Sequence, residues 1–174
     1  MRLDDMVEAE IEQNWDGGES VRWQLKLEAL LHFERDSGIT ALYNKWLRAC
    51  SGQAVPRRGG FDCRAALAHH GAADLGFIVL ERNRRSRMMR SDEDFVALED
   101  AIPNSREREC LMHDVRAVLM QGWAGYYHVD QVIDGTRSLF SRLLLPVANF
   151  DDIAVEVLMA ENHTVESVLA GAAK

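Results

Sequence analysis

The sequence predicts an α+β protein in which helices cover one face of a small antiparallel sheet. An amphipathic helix pattern over residues 105–121 is followed, over 125–161, by three apolar segments that alternate and are joined by tight turns. Upstream, residues 75–81 form a compact apolar run, which is typical of a strand buried on both faces. This order suits a module that holds a ligand or a partner better than one that performs chemistry.

Composition narrows the functional classes. The chain has 174 residues, which fits one domain with an appendage, and its net charge of −8 argues against nucleic acid or anionic membrane as a partner. No apolar run approaches the roughly 18 residues that a transmembrane helix needs, and the acidic N-terminus is unlike a secretion signal. Cys50, Cys63 and Cys110 are widely spaced, so we expect free thiols in a reducing cytoplasm.

The first 38 residues are predicted to form a helical extension. Apolar side chains recur there at every fourth position, at Leu3, Val7, Ile11 and Trp15. Asp16-Gly17-Gly18 should end that helix. Residues 21–34 carry two patterns, because alternation at 21, 23, 25 and 27 favours a strand, whereas the spacing of 23, 27, 30 and 31 favours a helix. The abundance of Leu, Glu, Lys and Ala favours the helix, and the choice between helix and strand stays open.

The middle of the chain shows one clear helix and several shorter elements. Residues 39–50 place six side chains on one helical face: Ile39, Leu42, Tyr43, Trp46, Leu47 and Cys50. A loop at 56–60, a short helix over 63–70, a second strand near 86–91 and a short helix ending at Pro103 follow.

Local signals define the last third. Asn104 and Glu107 resemble a capping box at the start of the 105–121 helix, and Gly122 should end it. Asp134-Gly135 is a hairpin signal between strands 125–133 and 137–147, because both residues tolerate positive φ. The final strand alternates at 153, 155, 157 and 159 after a turn at 149–152.

This order of elements resembles a PAS domain. Leu42-Tyr43-x-x-Trp46, Gly52 and Pro56-x-Arg58-x-x-Phe61-Asp62 look like the N-terminal signature of a PAS-like family widespread in alphaproteobacteria, and Arg142-Leu143-Leu144-Leu145-Pro146 looks like its end. The resemblance implies a five-stranded antiparallel sheet with covering helices over residues 39–161, followed by a tail at 162–174. It also implies a cytoplasmic sensory or regulatory module, often a homodimer, that binds a small ligand or a signalling protein and acts in trans.

Two sets of residues follow from that interpretation. The apolar residues of the meander and its covering helices would line a ligand pocket or fill the core: Phe77, Val79, Met112, Val115, Leu119, Val129, Leu143, Leu145, Val155 and Val157. Aromatic and leucine residues outside the sheet need a cover and would form a dimer interface: Trp15, Trp23, Leu27 and Leu31.

The densest charge feature is a run of arginines at a predicted hairpin: Arg82, Arg84, Arg85, Arg87 and Arg90. They could bind an anion or an acidic protein surface by bidentate hydrogen bonds, or they could be a solvated turn that discourages edge pairing. A ligand-free adaptor that binds a signalling protein through this hairpin is therefore the alternative function.

Signals for cofactors and catalysis are weak. His69-His70 and His113 lack the spacing of a metal site, so no metal is expected, and haem on His113 is improbable. The flavin-adduct motif is absent around Cys110. Tyr126, His128 and Asp130 alternate on one strand and are the best catalytic cluster on offer, yet a polar sheet face explains them equally well. The prediction is no enzymatic activity and no bound cofactor, with a small enzyme as the least favoured reading.

Overall fold

The computed structural model describes residues 5–35, 38–50, 55–57, 74–81, 85–90, 94–148 and 154–163. Its strands are β1 (Val7–Trp15), β2 (Gly18–Leu25), β3 (Asp74–Glu81), β4 (Arg87–Arg90), β5 (Val96–Ala97), β6 (Gly125–Ile133), β7 (Thr136–Ala148) and β8 (Ala154–Asn162). Its described helices are α1 (Ala29–Phe33), α2 (Gly38–Cys50), α3 (Leu98–Ala101) and α4 (Ser105–Gln121). None of these helices is long and apolar enough to cross a membrane.

The eight strands form a single sheet in the order β1-β2-β6-β7-β8-β3-β4-β5, and every paired neighbour is antiparallel. The predicted PAS-like fold, with five strands and an N-terminal helical extension, is therefore wrong. The sheet has eight strands, and the N-terminal segment supplies two of them. The division of the chain at residues 38 and 161 stays a prediction.

The N-terminal error has a simple physical cause. A spacing of four residues is close to one helical turn, but it is also twice the period of a strand, so it places side chains on one face of either element. Val7–Trp15 uses the second option, and its burial alternates along the whole strand. Asp16-Gly17-Gly18 does not cap a helix. It forms the hairpin turn to β2, where Gly17 has φ +82°.

The ambiguous segment at 21–34 divides between the two patterns. Residues up to Leu25 form β2, which pairs with β1 on one side and with β6 on the other. Only Ala29–Phe33 is helical, and this short helix ends at Glu34. The helical preference of Leu, Glu and Lys is therefore overridden over β2, because two neighbouring strands satisfy its backbone.

Most predictions for the remaining described elements are confirmed, although β5 at Val96–Ala97 was not predicted. The helix over 39–50 is α2, and the strands near 75–81 and 86–91 are β3 and β4. The Asn104 side chain caps α4 by accepting from the backbone N–H groups of Arg106 and Glu107, and Gly122 ends the helix in the left-handed region. Asp134 and Gly135 have φ of 50° and 75° at the turn between β6 and β7. The predicted helix at 63–70 and the turn at 149–152 lie outside the described residues.

Helices cover both faces of the sheet, so the expected one-sided arrangement is also wrong. On one face, α1 and α2 pack through Leu30, Ile39, Leu42 and Trp46 onto alternate residues of the central strands. On the other face, α3 and α4 pack through Leu98, Leu111, Val115 and Val118 onto the intervening residues. The alternation of side chains along each strand therefore serves two separate hydrophobic cores.

The sheet curves around α4. Six strand spacings separate β1 from β4, or roughly 29 Å in a flat sheet. One cavity nevertheless has Gln13 of β1 and Ser86, the residue before β4, in its lining, together with α4 residues from Ser105 to Arg116. That stretch of α4 is only about 17 Å long. Opposite parts of the sheet therefore approach each other across the outer side of the helix.

Candidate ligand-binding site

An open groove of about 530 Å³ runs along α4 where the two sides of the curved sheet approach each other. Six of its residues form one stripe of the helix, in which each lies three or four positions from another: Ser105, Arg108, Glu109, Met112, His113 and Arg116. Gln13, Ser86, Leu98 and Glu99 complete the lining. The volume is that of a small-molecule site, and the lining combines a few apolar side chains with many polar ones.

Behind the groove lies a cluster of four buried charged side chains, which we call the charge cluster: Arg22, Asp114, Arg142 and Glu161. Arg22 Nε donates to Asp114 Oδ1 at 2.9 Å, and both side chains are fully buried. Arg142 Nη1 lies 3.5 Å from Asp114 Oδ2, and its Nε donates to Glu161 Oε1 at 2.8 Å. Two cations and two anions balance, which is the condition for burying charges at tolerable cost.

The charge cluster joins one helix to three strands. Asp114 belongs to α4, whereas Arg22, Arg142 and Glu161 belong to β2, β7 and β8. Burial alone would raise the pKa of the Glu161 carboxyl, but the adjacent Arg142 guanidinium outweighs burial and lowers that pKa to about 2. Burial disfavours the charge on Arg142, yet Glu161 and Asp114 raise its pKa. Both partners are therefore charged in the folded protein at neutral pH.

Two groove residues contact the charge cluster directly. The Gln13 carbonyl oxygen accepts a hydrogen bond from Arg22 Nη1 at 2.6 Å and another from the Cys110 thiol at 3.1 Å. His113 Nδ1 lies 3.4 Å from Arg22 Nη2 and 3.4 Å from Asp114 Oδ1. The groove and the buried charges are therefore continuous through hydrogen bonds.

A second buried polar cluster lies on the opposite face of the sheet, below α1. The Glu34 carboxylate accepts hydrogen bonds from Ser141, from Asn162 at 2.9 Å and from Tyr126 at 3.4 Å. The Tyr126 hydroxyl also lies 2.8 Å from His128 Nε2. The Glu34 cluster thus ties the end of α1 to three neighbouring strands.

Burial controls ionisation in the Glu34 cluster. It lowers the pKa of His128 to about 4, so the ring is neutral at pH 7. Burial, the nearby Glu34 charge and a Glu34 hydrogen bond raise the pKa of Tyr126 well above its usual value, although a Ser141 hydrogen bond opposes them. His128 Nδ1 is buried and has no hydrogen-bond partner among the described residues. Asp130, the third residue of the sequence-based cluster, is not part of it and instead forms an ion pair with the exposed Arg137.

The predicted pocket residues divide between the two hydrophobic cores on opposite faces of the sheet. Phe77, Val79, Leu143 and Leu145 belong to the core under α1 and α2. Five others belong to the core under α3 and α4 or pack against it: Met112, Val115, Leu119, Val129 and Val157. Met112 alone among the ten lines the groove. The side chain of Val155 lies outside the described part of the structure.

The other predicted sites are described only in part. Arg82 and Arg84 lie outside the described residues, Arg85 and Arg87 are exposed, and Arg90 is half-buried. The Arg87 guanidinium lies 5.5 Å from the centre of the Phe95 ring. In the proposed dimer interface, Trp15, Trp23 and Leu27 are half-buried, and the latter two pack against the core of their own chain, whereas Leu31 is 62% exposed.

Sequence reasoning missed Gln13, Arg22, Arg116 and Glu34. Arg22 carried a usable signal. It lies between Val21 and Trp23 in the strand pattern, so its side chain points to the opposite face from theirs. No group of three or more His, Cys, Asp or Glu side chains within the described ranges could hold a metal ion. No family model, curated protein or solved structure matches this chain.

Proposed function

We propose that this protein is a regulatory module that binds a small molecule in the α4 groove and acts on a partner in trans. The sensory role that the PAS resemblance implied now depends on this groove rather than on a pocket between sheet and helices. The observation that carries the proposal is the direct hydrogen bonding between groove residues and buried charges.

The contacts suggest how binding could be transmitted. A ligand in the groove touches Gln13 and His113, which share Arg22 as their inner partner. Arg22 pairs with Asp114, and Asp114 also contacts Arg142. Buried ion pairs tolerate little change in geometry. A shift of Arg22 therefore changes the position that the β1–β2 hairpin prefers relative to α4. Ligand binding can therefore change which surface the hairpin presents to a partner.

The groove also joins the two sides of the curved sheet. A molecule seated between Gln13 and Ser86 bridges segments that belong to opposite parts of the strand order. Such a bridge stabilises one curvature of the sheet over others. The difference in binding free energy between these conformations shifts the protein towards the one that binds the ligand more tightly.

A fragment screen by NMR on the full chain tests the proposal. Small molecules of mixed charge are expected to shift the backbone amides of residues 105–116 and of Gln13. Met112→Trp fills the groove and should abolish these shifts. Met120→Trp is the matched control, because Met120 lies on the same helix, is 89% exposed and does not line the groove. Binding that gathers elsewhere, or that survives Met112→Trp unchanged, refutes the proposed site.

A further inference from the structure

We infer that the α4 groove selects an organic anion, carrying a carboxylate or a phosphate group, and binds it at the end formed by Gln13, His113 and Arg116. This inference rests on the proposed function, since it names the ligand class of the same groove. The atoms of these three side chains that already contact the interior determine what each side chain can offer a ligand.

Gln13 presents a hydrogen-bond donor to the groove. Its carbonyl oxygen must face Arg22 and the Cys110 thiol, because a guanidinium can only donate. The amide nitrogen therefore points away from these two donors, within the plane of the amide group. It has no hydrogen-bond partner in the part of the chain that the structure describes. Gln13 lines the groove, so the group left for a ligand is an NH₂ donor.

His113 can present a second donor to the groove. Its Nδ1 lies 3.4 Å from both Arg22 Nη2 and Asp114 Oδ1, so these inner contacts fit either a lone pair or a proton on Nδ1. An anion in the groove selects the form that carries a proton on Nε2, because only that form donates to it. Nε2 is on the side of the ring away from this contact, and the side chain is half-exposed. Towards an anion the imidazole can therefore offer an N–H from Nε2.

Arg116 supplies the charge. It lies one turn beyond His113 on the same stripe and is exposed. It forms no ion pair with any described residue. By contrast, the groove carboxylate Glu109 is already paired with Arg106 at 2.8 Å. Three donors, one of them cationic, thus meet at one end of the groove without an acceptor among them.

The rest of the groove indicates what the anion is attached to. Met112 and Leu98 provide apolar contact along the stripe. Arg108 is held by the carbonyl oxygens of Ile102 and Pro103, at 2.5 and 2.6 Å, so its charge is not neutralised by a carboxylate. An organic body bearing one anionic group fits this lining better than a cation or a neutral polar molecule. The whole lining contains two arginines and two glutamates, so the preference for an anion belongs to the end formed by Gln13, His113 and Arg116.

The test compares matched probes on the full chain by NMR titration. Hexanoate and inorganic phosphate are expected to bind saturably and to shift the Gln13 side-chain amide, whereas hexanamide, the neutral analogue of hexanoate, should bind at least about tenfold more weakly. Comparing phosphate with hexanoate shows which anionic group is preferred. Arg116→Gln should weaken both anions about tenfold or more. The control is Lys45→Gln, which removes one exposed positive charge from α2 on the opposite face of the sheet and should leave the binding of both anions unchanged.

The outcomes distinguish a failure of the anion inference from a failure of the proposed binding site. If hexanamide binds in the groove as tightly as hexanoate, or if Arg116→Gln has no effect on either anion, the anion inference is overturned and the groove itself stands. If neither anion binds saturably while fragments of other charge do bind at 105–116, the inference is again overturned without touching the proposed function. If no molecule of any charge binds in the groove, both are refuted.

Discussion

The buried His128 should make the stability of the fold depend on pH within a defined range. His128 is 1% exposed, and burial lowers the pKa of its ring from 6.5 to about 4. The informative change is His128→Gln, which removes the ionisable group but keeps a polar side chain next to the Tyr126 hydroxyl.

The sign follows from proton binding. Between pH 6.5 and pH 4 the unfolded chain holds a proton on this histidine and the folded protein does not, so the free energy of unfolding falls as the pH falls. The full difference in pKa corresponds to about 3.4 kcal/mol, at about 1.4 kcal/mol for each pH unit. Between pH 7.5 and pH 4.5 about 2.5 kcal/mol of that loss is expected.

Urea unfolding at a series of pH values measures the effect. The range should stop at pH 4.5, because Glu161 has a lowered pKa and its stabilising charge is lost only between pH 4.5 and about pH 2. Wild type should lose about 2.5 kcal/mol more than His128→Gln over this range. Tyr126→Phe is the control, since it removes the hydroxyl partner but leaves the buried histidine, and it should keep the wild-type pH dependence. Parallel pH profiles of wild type and His128→Gln would show that His128 is not buried in the neutral form.

Three further substitutions test the packing of the charged and polar groups, each by urea unfolding at pH 7. Arg22→Met should lower the free energy of unfolding by about 3–5 kcal/mol, because it leaves Asp114 buried without its closest cation. The control, Arg137→Met, breaks an arginine–aspartate pair at the surface and should have little measurable effect. Equal losses in the two variants would contradict the buried cluster. Tyr127→Phe should be neutral or stabilising by about 1 kcal/mol, because the buried hydroxyl has no hydrogen-bond partner among the described residues, and a clear loss would reveal a partner. Asn104→Ala should cost about 1 kcal/mol through the loss of two capping hydrogen bonds, and no change would mean that α4 does not depend on this cap.

The groove could not be predicted from the sequence, although part of its stripe could. Met112 was recognised as an apolar helix residue, and His113 was considered only as a metal or haem ligand. The donors become a site because β1 and the start of β4 approach the same side of α4, and no local pattern encodes that approach. The charge cluster was missed for the same reason, because its members are 92, 28 and 19 residues apart in its three closest pairs.

Local chemistry in the sequence determined the second half of this protein. The cap at Asn104, the left-handed Gly122 and the Asp134-Gly135 turn each depend on residues a few positions apart, so the sequence alone locates α4 and the β6–β7 hairpin. Tertiary structure decided the rest. Whether a four-residue repeat becomes a helix or a strand, and which side chains meet inside, depends on hydrogen-bonding partners and neighbours that are distant along the chain.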